Sequence, residues 1–176
     1  MKEIIRPALI LLIICVIASV ILAIIYKQTA PLIAQNKLMA EEQARKTVLP
    51  EAAVFKPVIE NDQILYYEGF DTDSSLVGYV FSCFQYGYSS DVKTMVGLTT
   101  NLKISAITVV SQMETPGLGA NCTKLGFLNQ FSGKDPAEIY VDKDGGDIQS
   151  LTGATITSRA VTNAIRDTFL KIRDKL

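Results

Sequence analysis

The chain has 176 residues, with 18 acidic against 17 basic side chains, a net charge of −1, three cysteines and no histidine. So balanced a charge offers no cluster of Lys and Arg for phosphate backbones, which excludes a nucleic-acid binder. The lack of histidine excludes Ser-His and Cys-His nucleophile pairs, His-bound zinc or copper and His-ligated haem, so redox or group-transfer chemistry falls to an organic cofactor or to carboxylates and lysines.

Residues 8–25 (ALILLIICVIASVILAII) carry no charge. As a helix they span about 27 Å, close to the roughly 30 Å hydrocarbon thickness of a bilayer. The run is longer than the core of a cleaved signal peptide and no small-x-small site follows Tyr26, so residues 1–27 are expected to be a retained transmembrane anchor. Cys15 lies in the middle of the run, which removes the lipoprotein alternative. Lys2 and Arg6 on one flank, against Lys27 and Lys37 on the other, leave a faint preference for an inside N-terminus and an outside domain.

Residues 28–49 set Leu32, Leu38, Ala44 and Val48 among Gln, Glu, Lys and Arg, a helical pattern that Pro50 stops. This segment reads as a stalk, or as a first domain helix laid on a sheet. Residues 50–176 suffice for one compact domain. Cys83 and Cys122 show neither C-x-x-C nor zinc-ligand spacing; they are read as free buried thiols, with a disulfide between them as the alternative.

The domain reads as β first and α last. Residues 63–70 and 75–84, rich in β-branched and aromatic side chains and parted by Asp71-Thr72-Asp73-Ser74, predict a hairpin. Residues 93–98 and 103–110 predict a second pair, apolar on both faces and therefore covered by helices. A short helix over 123–131, weakened by Gly126, and a short strand over 139–141 before the turn at Gly145-Gly146 follow. From Ser158 on, Val161, Ile165, Phe169 and Ile172 recur on one helical stripe. The expected fold class is α+β: one transmembrane helix, a helical stalk, then a mostly antiparallel sheet flanked by helices and closed by a C-terminal amphipathic helix.

Three local features could carry chemistry. Glu114-Thr115-Pro116-Gly117-Leu118-Gly119 is a sharp loop after a buried strand, whose glycines let backbone amides approach a planar ligand; a plain wide turn is the competing reading. Tyr86-Gly87-Tyr88-Ser89-Ser90 reads equally as a strand end with packed tyrosines. Thr152-Gly153-Ala154-Thr155-Ile156-Thr157-Ser158 places hydroxyls at a helix start, where Ser and Thr serve as ordinary caps and where the amides attract phosphate. Without a histidine as base, Thr155 is a poor autonomous nucleophile and a better acceptor of a group delivered by another enzyme.

The T-G-A-T run at 152–155 and the E-T-P-G-L-G loop at 114–119, in that topology, resemble the covalent-FMN-binding domain found in the G subunit of the Rnf electron-transport complex and in the C subunit of the sodium-pumping NADH:quinone reductase. The likeness runs over nearly the whole chain, and the compact length is nearer the Rnf protein. The resemblance implies FMN joined through its phosphate to the Thr155 hydroxyl, delivered by a separate flavin transferase that recognises residues 147–158. Gly153 and Ala154 would leave room for the transferase and the flavin, the helix N-terminus at Thr157-Ser158, helped by Arg159, would stabilise the phosphate, and Thr152 is counted among the cofactor-binding residues. Leu118 and the Gly117 and Gly119 backbone would border the flavin ring, with Glu114 and Thr115 also counted among the cofactor-binding residues. The implied protein relays electrons between other membrane subunits of an ion-translocating ferredoxin:NAD⁺ oxidoreductase, has no turnover alone, needs no metal, and sits in the cell membrane with its domain on the extracytoplasmic side of the lipid bilayer. Residues 8–25 hold no ionisable pair of the kind that marks an ion path, so pumping is assigned to the partners. Family members often carry histidine where this chain has Gln112, which hydrogen-bonds but cannot become cationic. The rival readings are a non-redox extracytoplasmic binding or assembly module and the equivalent subunit of the quinone reductase.

Overall fold

The computed structural model describes residues 2–176. They form two compact units, one ending at Ala40 and one spanning Glu41–Leu176. Helix α1 (Lys2–Val48) runs through the first and contributes its last turns to the second. In the first unit, side chains such as Leu11, Ile17 and Leu22 are exposed, and the helix is long and apolar enough to cross a bilayer. Within the apolar run the Ser19 hydroxyl is satisfied internally, donating to the Cys15 carbonyl at 2.8 Å, as a hydrocarbon environment demands; beyond it Thr29 donates to the Ile25 carbonyl at 3.0 Å.

The second unit is built on five antiparallel strands in chain order, β1 (Val54–Glu60), β2 (Gln63–Phe70), β3 (Leu76–Tyr86), β4 (Asp91–Thr99) and β5 (Ile104–Ser111). The two expected hairpins are β2–β3 and β4–β5. The sequence reading did not include β1. Pro57 cannot donate to a ladder, but β1 is an edge strand, where proline is tolerated. Asn61 and Asp62, with φ of +51° and +60°, then turn the chain into β2 as a type I′ hairpin does.

Both faces of the sheet are covered, because neighbouring residues on each central strand point to opposite sides. Phe81 and Val96 join Leu98 and Ile107 in a core with Val161, Ile165, Phe169 and Ile172 of helix α3 (Thr155–Ile172). Val80 and Met95, one residue earlier on each strand, pack instead with Ala44, Val48, Leu49 and Ala52 at the end of α1. Each large side chain buried this way contributes about 1.5–3 kcal/mol. Gly97 lets the two backbones meet there, since an added Cβ would collide with the Val48 carbonyl. Glu41 and Lys93 pair at 2.5 Å, and the Arg45 guanidinium lies 4.6 Å from the centre of the Tyr67 ring.

Two expected elements differ. Residues 139–141 form no strand: Val141 makes one parallel bridge to Ile148, and the Asp142 and Ile148 amides are spent closing that loop at 2.7 and 3.1 Å. The helix expected over 123–131 is a single turn, α2 (Leu125–Leu128), between 3₁₀ turns at Gly119–Thr123 and Asn129–Phe131.

Candidate functional site

Helix α3 starts at Thr155, two residues before the Thr157-Ser158 position expected from sequence. Its first turn is closed by the Ser158 amide on the Ala154 carbonyl at 3.1 Å, so the amides of Thr155, Ile156 and Thr157 precede the helical hydrogen bonds at the positive end of the helix dipole. No side chain caps this end. The hydroxyls have other duties. Ser158 accepts from the Leu151 amide at 2.9 Å and donates to the Ala154 carbonyl at 3.1 Å, while Thr157 donates to Glu114 Oε2 at 2.5 Å; both side chains are fully buried. Thr155, half-buried, and Thr152, exposed, make no side-chain hydrogen bond among the described residues. The reversal of the chain before α3 rests on Gly153, whose φ of +73° disfavours any residue with a Cβ.

Glu114 ties this helix start to the β3–β4 loop. Its Oε1 accepts the Ser89 and Ser90 amides at 2.9 and 3.1 Å, and its Oε2 accepts the Tyr88 amide at 3.2 Å beside the Thr157 hydroxyl. Burial by itself raises the carboxyl's pKa, but the bonds from Thr157, Ser89, Ser90 and Tyr88 outweigh it and hold the group below the ordinary glutamate range. Gly119 permits this convergence, because a Cβ there would lie 2.6 Å from Glu114 Oε2 and 2.7 Å from Thr157 Oγ1. Gln112 acts locally, its side-chain carbonyl accepting the Glu114 amide at 2.6 Å.

These segments surround a cavity of about 600 Å³, lined by Tyr88, by Glu114, Thr115, Leu118 and Gly119, and by Gly153, Ala154, Thr155, Ile156 and Thr157. A neighbouring cavity of about 480 Å³ shares Leu118 and takes in Gly117, Thr152 and Lys124. Thus eight of the eleven residues singled out from sequence meet at the larger cavity, Thr152 and Gly117 line the smaller one, and Ser158 stays behind the wall as a buried brace. Arg159 does not reach the cavity: its guanidinium is held by Asp144 at 2.8 and 2.6 Å. Tyr88 and Ile156 also line the cavity, although neither was assigned to the cofactor from sequence. The Tyr86–Ser90 cluster was visible as a motif, but the Tyr88 ring is 67% exposed rather than packed.

The arrangement suits an anion attached to a bulky apolar group. Free amides and the helix dipole favour a phosphate, a hydroxyl without a partner stands beside them, and Leu118 and Ile156 offer apolar surface. The thiols take no part in it. Cys83 and Cys122 are free and buried; burial pushes Cys83 up, and burial, then the Glu114 charge, pushes Cys122 up to about 11.

A family model described as the FMN-binding domain matches residues 87–169, from the start of the Tyr88 loop through most of α3, and one described as the RnfG N-terminal region matches residues 1–48. The sheet unit therefore contains a domain of the FMN-binding class, by its match over residues 87–169. The chain is 35% identical over 175 residues to the G subunit of the ion-translocating oxidoreductase complex of Methanosarcina acetivorans, spanning 93% of this chain and 92% of that protein. It is 33% identical to the G subunit of the proton-translocating ferredoxin:NAD(+) oxidoreductase complex of Clostridium ljungdahlii, spanning 87% of this chain and 83% of that one. The chain belongs to the family of G subunits of ion-translocating oxidoreductase complexes. A crystal structure of the C subunit of the Na(+)-translocating NADH-quinone reductase from Parabacteroides distasonis shares the fold, with a TM-score of 0.52 and 23% identity over 61% of this chain and 60% of that chain.

Proposed function

We propose that this chain is a membrane-anchored flavoprotein subunit of an Rnf-type ion-translocating ferredoxin:NAD⁺ oxidoreductase, that it carries FMN as a phosphoester on Thr155, and that it relays electrons between neighbouring subunits. The observation that carries the attachment site is the sorting of the hydroxyls. Thr157 and Ser158 are buried and committed to Glu114, Leu151 and Ala154, and Thr152 lines the smaller cavity, which leaves Thr155 free at the mouth of the larger one.

Thr155 acts as acceptor. Its Oγ–P bond forms as the pyrophosphate bond of FAD breaks on a flavin transferase; AMP leaves, and the hydroxyl proton passes to a base of that enzyme. This chain offers no such base, since the carboxylate lining the cavity, Glu114, already accepts four hydrogen bonds. The amides of Thr155, Ile156 and Thr157 stabilise the phosphate, which remains anionic as a diester. Gly153 and Ala154 leave the approach to Thr155 open, and Leu118, Ile156 and the Gly119 backbone would offer apolar surface to the ring. FMN, when bound, supplies the one- and two-electron chemistry, and the protein sets its position. Residues 1–27 are the anchor in the lipid bilayer, 28–49 the stalk, whose last turns from Glu41 on pack on the sheet, and 50–176 the rest of the flavin domain, on the extracytoplasmic side, where the transferase and the other membrane subunits reach it.

The test is maturation of the full chain with a flavin transferase and export. The expected product stays fluorescent through denaturing electrophoresis and gains the mass of one FMN less water; Thr155→Ala loses both. A Thr155→Ala protein that keeps flavin after denaturation sinks the attachment site. Colourless wild type from its native host sinks the whole reading.

A further inference from the structure

Tyr88 is the one cavity residue contributed by the β3–β4 loop, and its environment sets it apart from the other tyrosines of the sheet unit. The hydroxyls of Tyr66 and Tyr79 hold the C-terminal carbonyls of Lys175 and Leu176, and Tyr86 donates to the Ser89 carbonyl at 3.1 Å. Tyr67 and Tyr140 lie under the guanidinium groups of Arg45 and Arg166. Among the described residues, the Tyr88 hydroxyl and ring have no such partner, and the ring stands 67% exposed at the cavity. Its backbone is nonetheless pinned. Glu114 accepts the Tyr88, Ser89 and Ser90 amides, and the Gly87 amide closes on the Ser90 carbonyl at 2.8 Å. The same carboxylate holds Thr157, two residues beyond Thr155, so the loop that carries the aromatic ring and the turn that carries the free hydroxyl are braced on one group.

An exposed aromatic ring on a fixed backbone, beside a site for a planar aromatic ligand, is a stacking surface. We propose that the Tyr88 ring packs directly against the isoalloxazine of the FMN on Thr155 and thereby quenches its emission. This inference rests on the flavin assignment above and adds a contact to it. The physical basis of the readout is that a phenol in van der Waals contact with an excited flavin donates an electron to it, and the electron returns on recombination with no net reaction.

The experiment uses the full chain matured with the flavin transferase, each sample checked for one covalent flavin by intact mass. Flavin emission and lifetime are compared in native and denatured protein. Wild type is expected to brighten several-fold on denaturation. Tyr88→Leu and Tyr88→Phe are expected to be bright already when native, Tyr88→Trp to restore the quenching, and Tyr86→Leu to remain as dim as wild type. Should Tyr88→Leu carry no flavin, Tyr88→Phe decides, because it keeps the ring and removes the electron-rich phenol. Native emission of flavinylated Tyr88→Phe equal to wild type overturns the contact while leaving the flavin assignment intact. A wild type with no mass gain overturns the assignment itself, and the contact with it.

Discussion

The two faces of the sheet are closed by helices that solve the same problem in different ways. The end of α1 and the residue after it bury apolar groups, Ala44, Val48 and Leu49 with Val80 and Met95, and keep their charges at the rim, Glu41 paired with Lys93 and Arg45 over the Tyr67 ring. The start of α3 buries two hydroxyls and draws a carboxylate down onto them. Burying polar groups is costly unless each is satisfied, and a fully satisfied network holds its members in one geometry. Adhesion alone would not need Glu114. The difference teaches that the α3 side is arranged to hold a loop, a turn and a helix end around a cavity, whereas the α1 side is arranged only to hold.

Substitutions on the two faces should therefore separate stability from flavin attachment. Thr155→Ala is the largest expected effect on function: no covalent flavin by mass, with the denaturant midpoint of the flavin-free protein unchanged. Gly97→Ala, on the α1 face, is its counterpart. Forcing a Cβ onto the Val48 carbonyl is expected to cost about 3 kcal/mol in chemical denaturation, while the molecules that fold still take up FMN; loss of attachment at full stability would break the contrast.

Glu114→Gln lies between them. It removes the charge and turns an amide donor toward backbone donors, an expected loss of about 2 kcal/mol in the same denaturation assay. The acid limb sharpens this further. Because the folded carboxyl is held below its ordinary value of 4.5, its contribution is complete above that value and fades as pH falls through the lower folded value. The gap between wild type and Glu114→Gln should thus be constant at neutral pH and narrow in acid; a gap that widens in acid contradicts the assigned charge state. The smallest effect is expected from Arg159→Gln, which breaks an exposed pair with Asp144. Attachment and melting temperature should both match wild type, and loss of flavin in this variant would show that a cation, and not helix amides alone, holds the phosphate.

Much of the architecture could be read locally. The apolar run, the helical stripe of Val161, Ile165, Phe169 and Ile172 and the β-branched and aromatic runs of β2 to β5 are signals carried by adjacent residues. The reading failed where pairing is decided at a distance. Residues 139–141 have strand-like composition, but the loop closes on itself at Ile148; β1 holds a proline that only its edge position excuses. The hydroxyls looked like caps, yet Ser158 turns back to Leu151 and the helix begins two residues early.

The sequence by itself determined the class of the protein: an uncharged run long enough for a bilayer, an α+β domain, no histidine, and two motifs whose residue types suit a tethered phosphate. Those are properties of short stretches, and short stretches carry them unaided. Only the tertiary structure decided which hydroxyls are committed, because Thr157 is removed from contention by Glu114, 43 residues away in the chain. The same long-range bonds brought Tyr88 to the cavity and left Arg159 outside it. A hydrogen bond selects its partner by position in space, and no spacing along the chain announces that choice.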